Sequence, residues 1–280
     1  MKTPISYYGG KQRLVPEILP LIPKHTQYVE PFCGGAAVFW AKNPSAHEVI
    51  NDIDGRVVNF YRVLQTRFPE LQQMIRGTLH SEADHRRAKT IMDLEEADSV
   101  ERAWAFWVQT AQSFSNKLYS GFGHGHNRSD GGKFTNTVNS KRLQIAADNG
   151  LYTSRLEGVE VFSRDAIGLI KAKDRADVFM YLDPPYKGSN CGHYTDKVEV
   201  FDRLLEILPT LQCKWLMSSY PDERLDELRK QHGWHTQDID ANLSVSGKHN
   251  AGKRKTECLT WNYSLAEEPI GLFAKEHLAA

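Results

Sequence analysis

"QYVEPFCGGAAVFWAKNPSAHEVINDIDGRVVNFYRVLQT", residues 27–66, changes hydrophobic period three times. "QYVE" reads as a strand running into a glycine turn at Gly34 and Gly35, and "AAVFWAK" as the helix behind it. "EVINDID" is a second strand that ends in acids, and "GRVVNFYRVLQT" has helical period. Strand, helix, strand, helix predicts a parallel α/β sheet, because parallel neighbours need a crossover that a helix supplies. Just upstream, "QRLVPEILPLI" predicts a short helix interrupted by Pro16 and Pro20.

Downstream the pattern changes. From about Phe68 to Phe114 the chain reads as consecutive helices, with Trp104, Phe106 and Trp107 expected in the core. Residues 115–140 are rich in Gly, Ser, Asn and His, and "SDGGKF" predicts a hairpin turn, since Asp-Gly and Gly-Gly adopt positive φ cheaply. A long polar stretch inside a compact protein is more often functional or disordered than core. Strand-like runs return with "GVEVFSRDA", "ADVFMYLDPPY", "KWLMSSY" and "ECLTWNY", separated by the helical patterns "AIGLIKAK" and "VFDRLLEIL". The predicted architecture is one α/β sheet built from residues 1–62 and 159–280, interrupted by a helical and β-hairpin module over 63–158. In such sheets ligands bind beyond the carboxyl ends of the strands. Those ends carry Glu30, Asp52, Asp165 and Asp183.

The composition fits a folded chain. Forty per cent of the 280 residues are hydrophobic, enough to bury a substantial core. The apolar runs at 103–108 and 178–182 are too short to span a bilayer, and "MKTPISYYGG" lacks an apolar signal segment, so a cytoplasmic address is expected. Cys33, Cys191, Cys213 and Cys258 are scattered without a C-x-x-C pair, which argues against a zinc ribbon or a disulfide framework. The histidines of "GHGHN" and "HGWH" lack accompanying ligands, so no metal is expected. With 35 basic and 35 acidic residues the net charge is zero, which alone argues against a nucleic-acid binder. The distribution argues the other way. Between Ser113 and Arg142 stand Lys117, Arg128, Lys133, Lys141 and Arg142 against Asp130 alone, and "SGKHNAGKRK" is basic without an acid.

The glycine turn lets backbone approach a ligand closely, and the helix behind it presents positive dipole. It matches neither G-x-x-x-x-G-K-[ST] nor G-x-G-x-x-G, which disfavours a phosphate-loop enzyme and a nicotinamide oxidoreductase. Asp52, at the end of the second strand, is placed either to hold ribose hydroxyls or to cap the following helix. "DPPY", 183–186, is sharper. A residue before proline is kept out of the helical region, so Asp183 stays extended where its strand ends. Pro184 and Pro185 fix φ and remove two N–H donors, leaving a rigid cluster of acceptors, the Asp183 carboxylate and the Pro184 carbonyl. Tyr186 adds a flat face. Paired acceptors beside a flat face suit a planar ring bearing an amino group, such as a nucleobase.

"DPPY", "EPFCGG" about 150 residues before it and "YYGGK" near the N-terminus together resemble the Dam-type family of DNA adenine methyltransferases. The order of glycine motif, long insert and D-P-P-Y resembles the α group of amino-methyltransferases. The match covers roughly residues 5–62 and 159–263, including the closing "RKTECLTWNY". The insert matches only through "GFGHGHNRSDGGKFTN", similar to the family's DNA-contacting hairpin. The resemblance implies a Rossmann-like fold that uses S-adenosylmethionine and no metal. Tyr7, where the family often has tryptophan, and Lys11 fall in the cofactor-reaching N-terminal motif. Phe32 and Gly34 fall in the glycine motif, Asp52 at the ribose and Asp165 near the cofactor's adenine, unless it caps "AIGLIKAK". Asp183, Pro184 and Tyr186 are the implied catalytic residues, with Asp183 also bordering the cofactor.

The expected reaction is methyl transfer to the 6-amino group of an adenine flipped out of duplex DNA. Lys117, Arg128, Lys133, Lys141 and Arg142 are then expected to clamp phosphates, with Asn136 reading base edges. Double-stranded DNA is the implied partner, and a cognate restriction endonuclease stays open beside it. Cytosine C5 methylation is disfavoured because no Pro-Cys dipeptide occurs. Transfer to a cytosine amine or to RNA, and a DNA-binding homologue without catalysis, remain the alternatives.

Overall fold

The computed structural model describes residues 1–123, 133–186, 197–242 and 254–265, apart from the side chains of 133–137, 197–198, 240–242 and 254–255. The two strands that begin and end the predicted parallel core, β1 (Gln27–Glu30) and the "VFMYL" strand Val178–Leu182, are buried along their whole length. Unbroken apolar character is what a strand covered on both faces requires. They lie side by side in parallel. Between them in the chain come β2 (His47–Asn51) and β3 (Glu160–Phe162), which makes Val178–Leu182 the fourth strand, β4. After it follow β5 (Lys214–Ser219), β6 (His235–Asn242) and β7 (Arg254–Trp261).

The seven strands form one sheet in the order β3-β2-β1-β4-β5-β7-β6. β1 to β5 are parallel, while β7 runs antiparallel to β5 and β6 antiparallel to β7. This is the mixed, Rossmann-like α/β sheet expected of a methyltransferase. β6 was not foreseen. "HTQDIDAN" alternates polar residues along an edge, where little apolar signal is needed.

Period-2 alternation divides the core. Tyr28, Phe179, Tyr181, Leu216 and Leu259 point to one face, and Val29, Met180, Leu182, Trp215 and Met217 to the other. The first face is covered by α1 (Val15–Ile18), α2 (Ala37–Ala41) and α3 (Gly55–Thr66), each contributing buried side chains to its cluster. The inserted helices α4 (Phe68–Arg76), α5 (Glu82–Ile91), α6 (Ser99–Gln112), α7 (Lys133–Ala146) and α8 (Leu151–Leu156) continue the same cluster. The second face is covered by α9 (Ala166–Lys173), α10 (Lys197–Ile207) and α11 (Glu223–His232).

The insert has no core of its own. α6 is buried all round, with Phe106 against Phe60 of α3 at 5.9 Å and the Trp107 indole N–H donating to the Pro4 carbonyl at 3.2 Å. Trp104, Phe106 and Trp107 are core residues, as expected. A division at residue 62 cuts through α3.

The hairpin turn expected at "SDGGKF" falls on residues 129–134. Residues 124–132 lie outside the described residues, and from Lys133 the chain is helix α7 instead of a returning strand. The cause is a helical stripe behind the turn signal: Val138 and Ile145 are buried one heptad apart, and Lys141 lies between them. Among the described residues no helix is long and apolar enough to cross a membrane.

Candidate active site

The strand order reverses between β1 and β4, because β1 crosses to β2 on one side and β4 to β5 on the other. Such a switch point opens a crevice at the carboxyl ends. The glycine turn emerges from one wall of it and Asp183–Tyr186 from the other.

Alternation decides what meets there. Asp183 shares parity with Tyr181, Ser218 with Leu216, and Glu257 with Leu259, so all three polar side chains lie toward the first face. Because β7 is reversed, with Cys258 opposite Ser219, Glu257 arrives at the carboxyl end of β5. The fourth member comes from the N-terminus. Gly9, at φ 74°, allows a turn closed by the Gly10 N–H to the Tyr7 carbonyl at 3.0 Å. A single 3-10 turn, Lys11–Arg13, then carries Lys11 inward until only 8% of it is exposed.

The Lys11 ammonium lies 2.8 Å from Asp183 Oδ1 and 3.6 Å from Glu257 Oε1, and donates to the Gly9 carbonyl at 3.0 Å. It stands 4.7 Å from the centre of the Tyr186 ring. Burial works against its charge, but Asp183 and Glu257 more than offset that and raise its pKa above the ordinary lysine value. The Ser218 hydroxyl donates to Asp183 Oδ1 at 3.1 Å and meets the Tyr181 hydroxyl at 3.1 Å. Oδ1 is thus pinned by two groups, and no described residue engages Oδ2. Tyr186 donates its hydroxyl to Glu257 and packs edge-to-face with Tyr220 at 4.5 Å. Burial pushes the Tyr186 phenol well above its usual range, so it stays a donor.

At the β1 wall, Gly34 has φ 45°, and a Cβ built there falls 2.8 Å from the Tyr7 ring. The ring of the N-terminal motif is therefore packed onto the glycine turn. Asp52 is buried and accepts from the Gly34 N–H at 2.9 Å and the Asp54 N–H at 2.9 Å, tying the first two strand ends together. The cap of α3 is Asp54, which accepts from the Arg56 N–H at 2.9 Å, so the capping alternative for Asp52 moves two residues on. Glu30 accepts from the Tyr28 hydroxyl at 2.7 Å and the Phe39 N–H at 3.2 Å. Burial pushes its carboxyl up to about 8. Phe32 is half-buried against the second-face cluster. Asp165 is exposed at the end of β3, caps α9 through the Gly168 N–H at 2.9 Å and pairs with Arg203 at 3.2 Å.

The structure brings Tyr7, Gly34 and Asp52 together at the ends of β1 and β2, and Lys11, Asp183 and Tyr186 together at the end of β4, on either side of the switch point. The basic residues of the insert are not gathered in the same way. Lys117 is half-buried beyond α6, Arg128 lies outside the described residues, and so do the side chains of Lys133 and Asn136. Lys141 and Arg142 are turned onto the protein itself. Lys141 donates to the carbonyl and hydroxyl of Thr3, burial lowering its pKa to about 8, and Arg142 donates to the Arg76 carbonyl at 3.0 Å. His232 and His235 stack on Trp234 and Trp261 respectively. Glu257, Ser218 and Tyr220 escape the sequence reading of the site, although each stands at the polar end of a strand that was foreseen. The available signal was one acid and one hydroxyl at the parity of apolar partners.

The residues at these strand ends suit a nucleoside sulfonium on three counts. Tyr7 packs against the glycine turn, buried Asp52 stands at the next strand end, and carboxylates outnumber ammonium groups around Lys11. The model of the D12 class N6 adenine-specific DNA methyltransferases matches residues 7–238. Type II methyltransferase M1.LlaDCHI of Lactococcus lactis subsp. cremoris is 26% identical over 279 residues, covering 91% of this chain and 93% of that protein. Modification methylase StsI of Streptococcus sanguinis is 24% identical over 303 residues, 94% of this chain but 43% of that protein. The DNA N-6-adenine-methyltransferase of Escherichia phage P1 is 26% identical over 255 residues, 86% of this chain and 32% of that protein. The chain thus spans nearly all of the first relative and less than half of the other two.

Proposed function

The chain belongs to the D12 class N6 adenine-specific DNA methyltransferase family, and on that premise we propose that it methylates the exocyclic 6-amino group of an adenine turned out of duplex DNA. One observation carries the site assignment. Asp183 ends β4 at the switch point of the sheet, with its carboxylate oriented by Ser218 at 3.1 Å and Lys11 at 2.8 Å.

When bound, S-adenosylmethionine supplies an electrophilic methyl on sulfonium: the S–CH₃ bond breaks, an N–CH₃ bond forms, and the amine sheds one proton. Tyr7, Phe32 and the Gly34 turn would border the methyl donor and Asp52 would face its ribose, whereas Asp165 takes the alternative role of capping α9. Lys11 from the N-terminal turn and Asp183 from the end of β4 would meet beside the donor.

An adenine amine is a poor nucleophile because its lone pair is delocalised into the ring. The Asp183 carboxylate and the Pro184 carbonyl, as acceptors for the two N–H bonds, favour pyramidal nitrogen and offset the positive charge that grows on it. Acceptors fixed in advance cost nothing to reorganise during the reaction. Tyr186 offers its ring to the base. Turning a base out of the stack costs about a few kcal/mol, and stacking on an aromatic ring returns roughly 1–3 kcal/mol. Phosphate contacts supply the remainder. We assign these to Lys117, Arg128 and Lys133, with Asn136 at base edges, in a target-recognition unit over 63–158. For Lys141 and Arg142 to join them, each must first leave the carbonyl it holds. An enzyme of this kind works beside DNA in the cytoplasm of a bacterial cell or phage-infected host. The names of two relatives, a type II methyltransferase and a modification methylase, support a cognate restriction endonuclease as partner.

The test is direct. Purified protein given methyl-labelled S-adenosylmethionine and duplex DNA is expected to place label on adenine, read by nucleoside chromatography. Label on cytosine, or on RNA in preference to DNA, would refute the substrate.

A further inference from the structure

Glu257 is a buried acid in the strand "RKTECLTW", 8% exposed between Thr256 and Cys258. A buried carboxylate needs partners to offset lost hydration. Its partners among the described residues are two members of the candidate site: the Lys11 ammonium at 3.6 Å and the Tyr186 hydroxyl. Through Lys11 it reaches Asp183, 2.8 Å farther on.

We propose that Glu257 is a positioning residue for methyl transfer, holding Lys11 against Asp183 and Tyr186 at the angle where its ring receives the base. The proposal rests on the methyltransferase reading above. One acid on the last strand thereby sets both the carboxylate that accepts the amine N–H and the flat face beside it. Without it, Lys11 keeps Asp183 and the Gly9 carbonyl but loses its second carboxylate, and the Tyr186 hydroxyl loses its acceptor. Glu257 touches neither donor nor base in this scheme. Its effect passes through two other side chains.

Glu257 is faced by Lys11 from the N-terminal turn, Tyr181 and Asp183 from the β4 end, Tyr186 beyond it, and Tyr220 near Lys11 from the β5 end. Burial raises its carboxyl above the ordinary range, Lys11 and the Tyr186 hydroxyl lower it only in part, and Asp183 raises it further. Wild-type protein therefore loses the charged form of Glu257 on the acid side of its pH profile. In Glu257→Gln the position is neutral throughout.

Steady-state kinetics on duplex DNA test this. Glu257→Gln is expected to lower kcat about 10- to 100-fold, the cost of a small misplacement at the reacting centre. Cofactor affinity by calorimetry should stay within about twofold, because uniform binding is untouched. The rates of wild type and Glu257→Gln should converge as pH falls, whereas a purely packing role keeps them a constant factor apart. Adding Lys11→Met to Glu257→Gln should cost less than the product of the two single penalties, since part of the Glu257 effect passes through Lys11. An unchanged kcat, a pH-independent ratio, or penalties that multiply would overturn the proposal. Should Glu257→Gln not fold, Tyr186→Phe removes only the hydroxyl that Glu257 accepts. Slower transfer then supports the proposal, and unchanged kcat refutes it. If wild-type protein transfers no methyl to adenine, the functional reading fails and the proposal falls with it; wild-type transfer with an unchanged Glu257→Gln rate overturns the proposal alone.

Discussion

Glu30 shows how much one buried carboxyl can reveal. It ends β1, accepts two hydrogen bonds on a single oxygen and has its carboxyl pushed up to about 8 by burial. A folded-state pKa above the unfolded value means the folded protein holds a proton that the unfolded chain releases. Stability is then full below the ordinary carboxylate range and is lost as pH rises through about 8. Glu30→Gln, neutral at every pH, removes that loss. Urea unfolding at stepped pH should show the variant gaining on wild type from mildly acid conditions upward, by on the order of a few kcal/mol at pH 8. Curves that stay parallel would show that Glu30 ionises in the fold as easily as in water.

Among the elements, α6 ties the insert to the sheet. Phe106 is fully buried between Phe60 of α3 and Tyr7 of the N-terminal motif. Truncating it to alanine is expected to cost about 3–5 kcal/mol, the usual penalty for deleting a buried aromatic. Because sheet and insert share one cluster, Phe106→Ala should still unfold in a single transition monitored by circular dichroism. A separate early transition would mean that the insert folds on its own.

The elements also mark what a sequence can reveal. β1, β4 and β5 were legible because apolar runs ended in turn signals, and α2 and α3 because their period is clear. α7 was masked by the Asp-Gly and Gly-Gly signals just before it, and β6 by its polar edge composition. Asp183, Asp52 and Gly34 were legible as strand-end chemistry. Glu257 and Ser218 were not, because their meaning depends on strand order and on the reversal of β7, which no local pattern encodes. Asp52 illustrates the intermediate case. Excluding Asp52 as the cap of α3 needed one hydrogen bond, from the Arg56 N–H to the Asp54 carboxylate, which gives the cap to its neighbour.

At the scale of the whole molecule, the sheet divides the work. The N-terminal segment and the glycine turn form one wall of the crevice, β4 the other, and β5 and β7 brace the second wall from behind. Segments more than 240 positions apart in the chain meet within one ion-pair cluster, since Lys11 stands beside Glu257. Under the proposed function, holding DNA and transferring the methyl group are separable, the first assigned to the basic residues of the insert and the second to the acceptors at the strand end.

Asp183→Ala tests that separation most directly, with transfer rate and DNA affinity measured on the same duplex. The account predicts a loss of transfer of at least about a hundredfold, in line with removing a preorganised charge partner. DNA affinity, read by fluorescence anisotropy, should change little. A variant that still transfers methyl groups at close to the wild-type rate would contradict the claim that this carboxylate grips the amine.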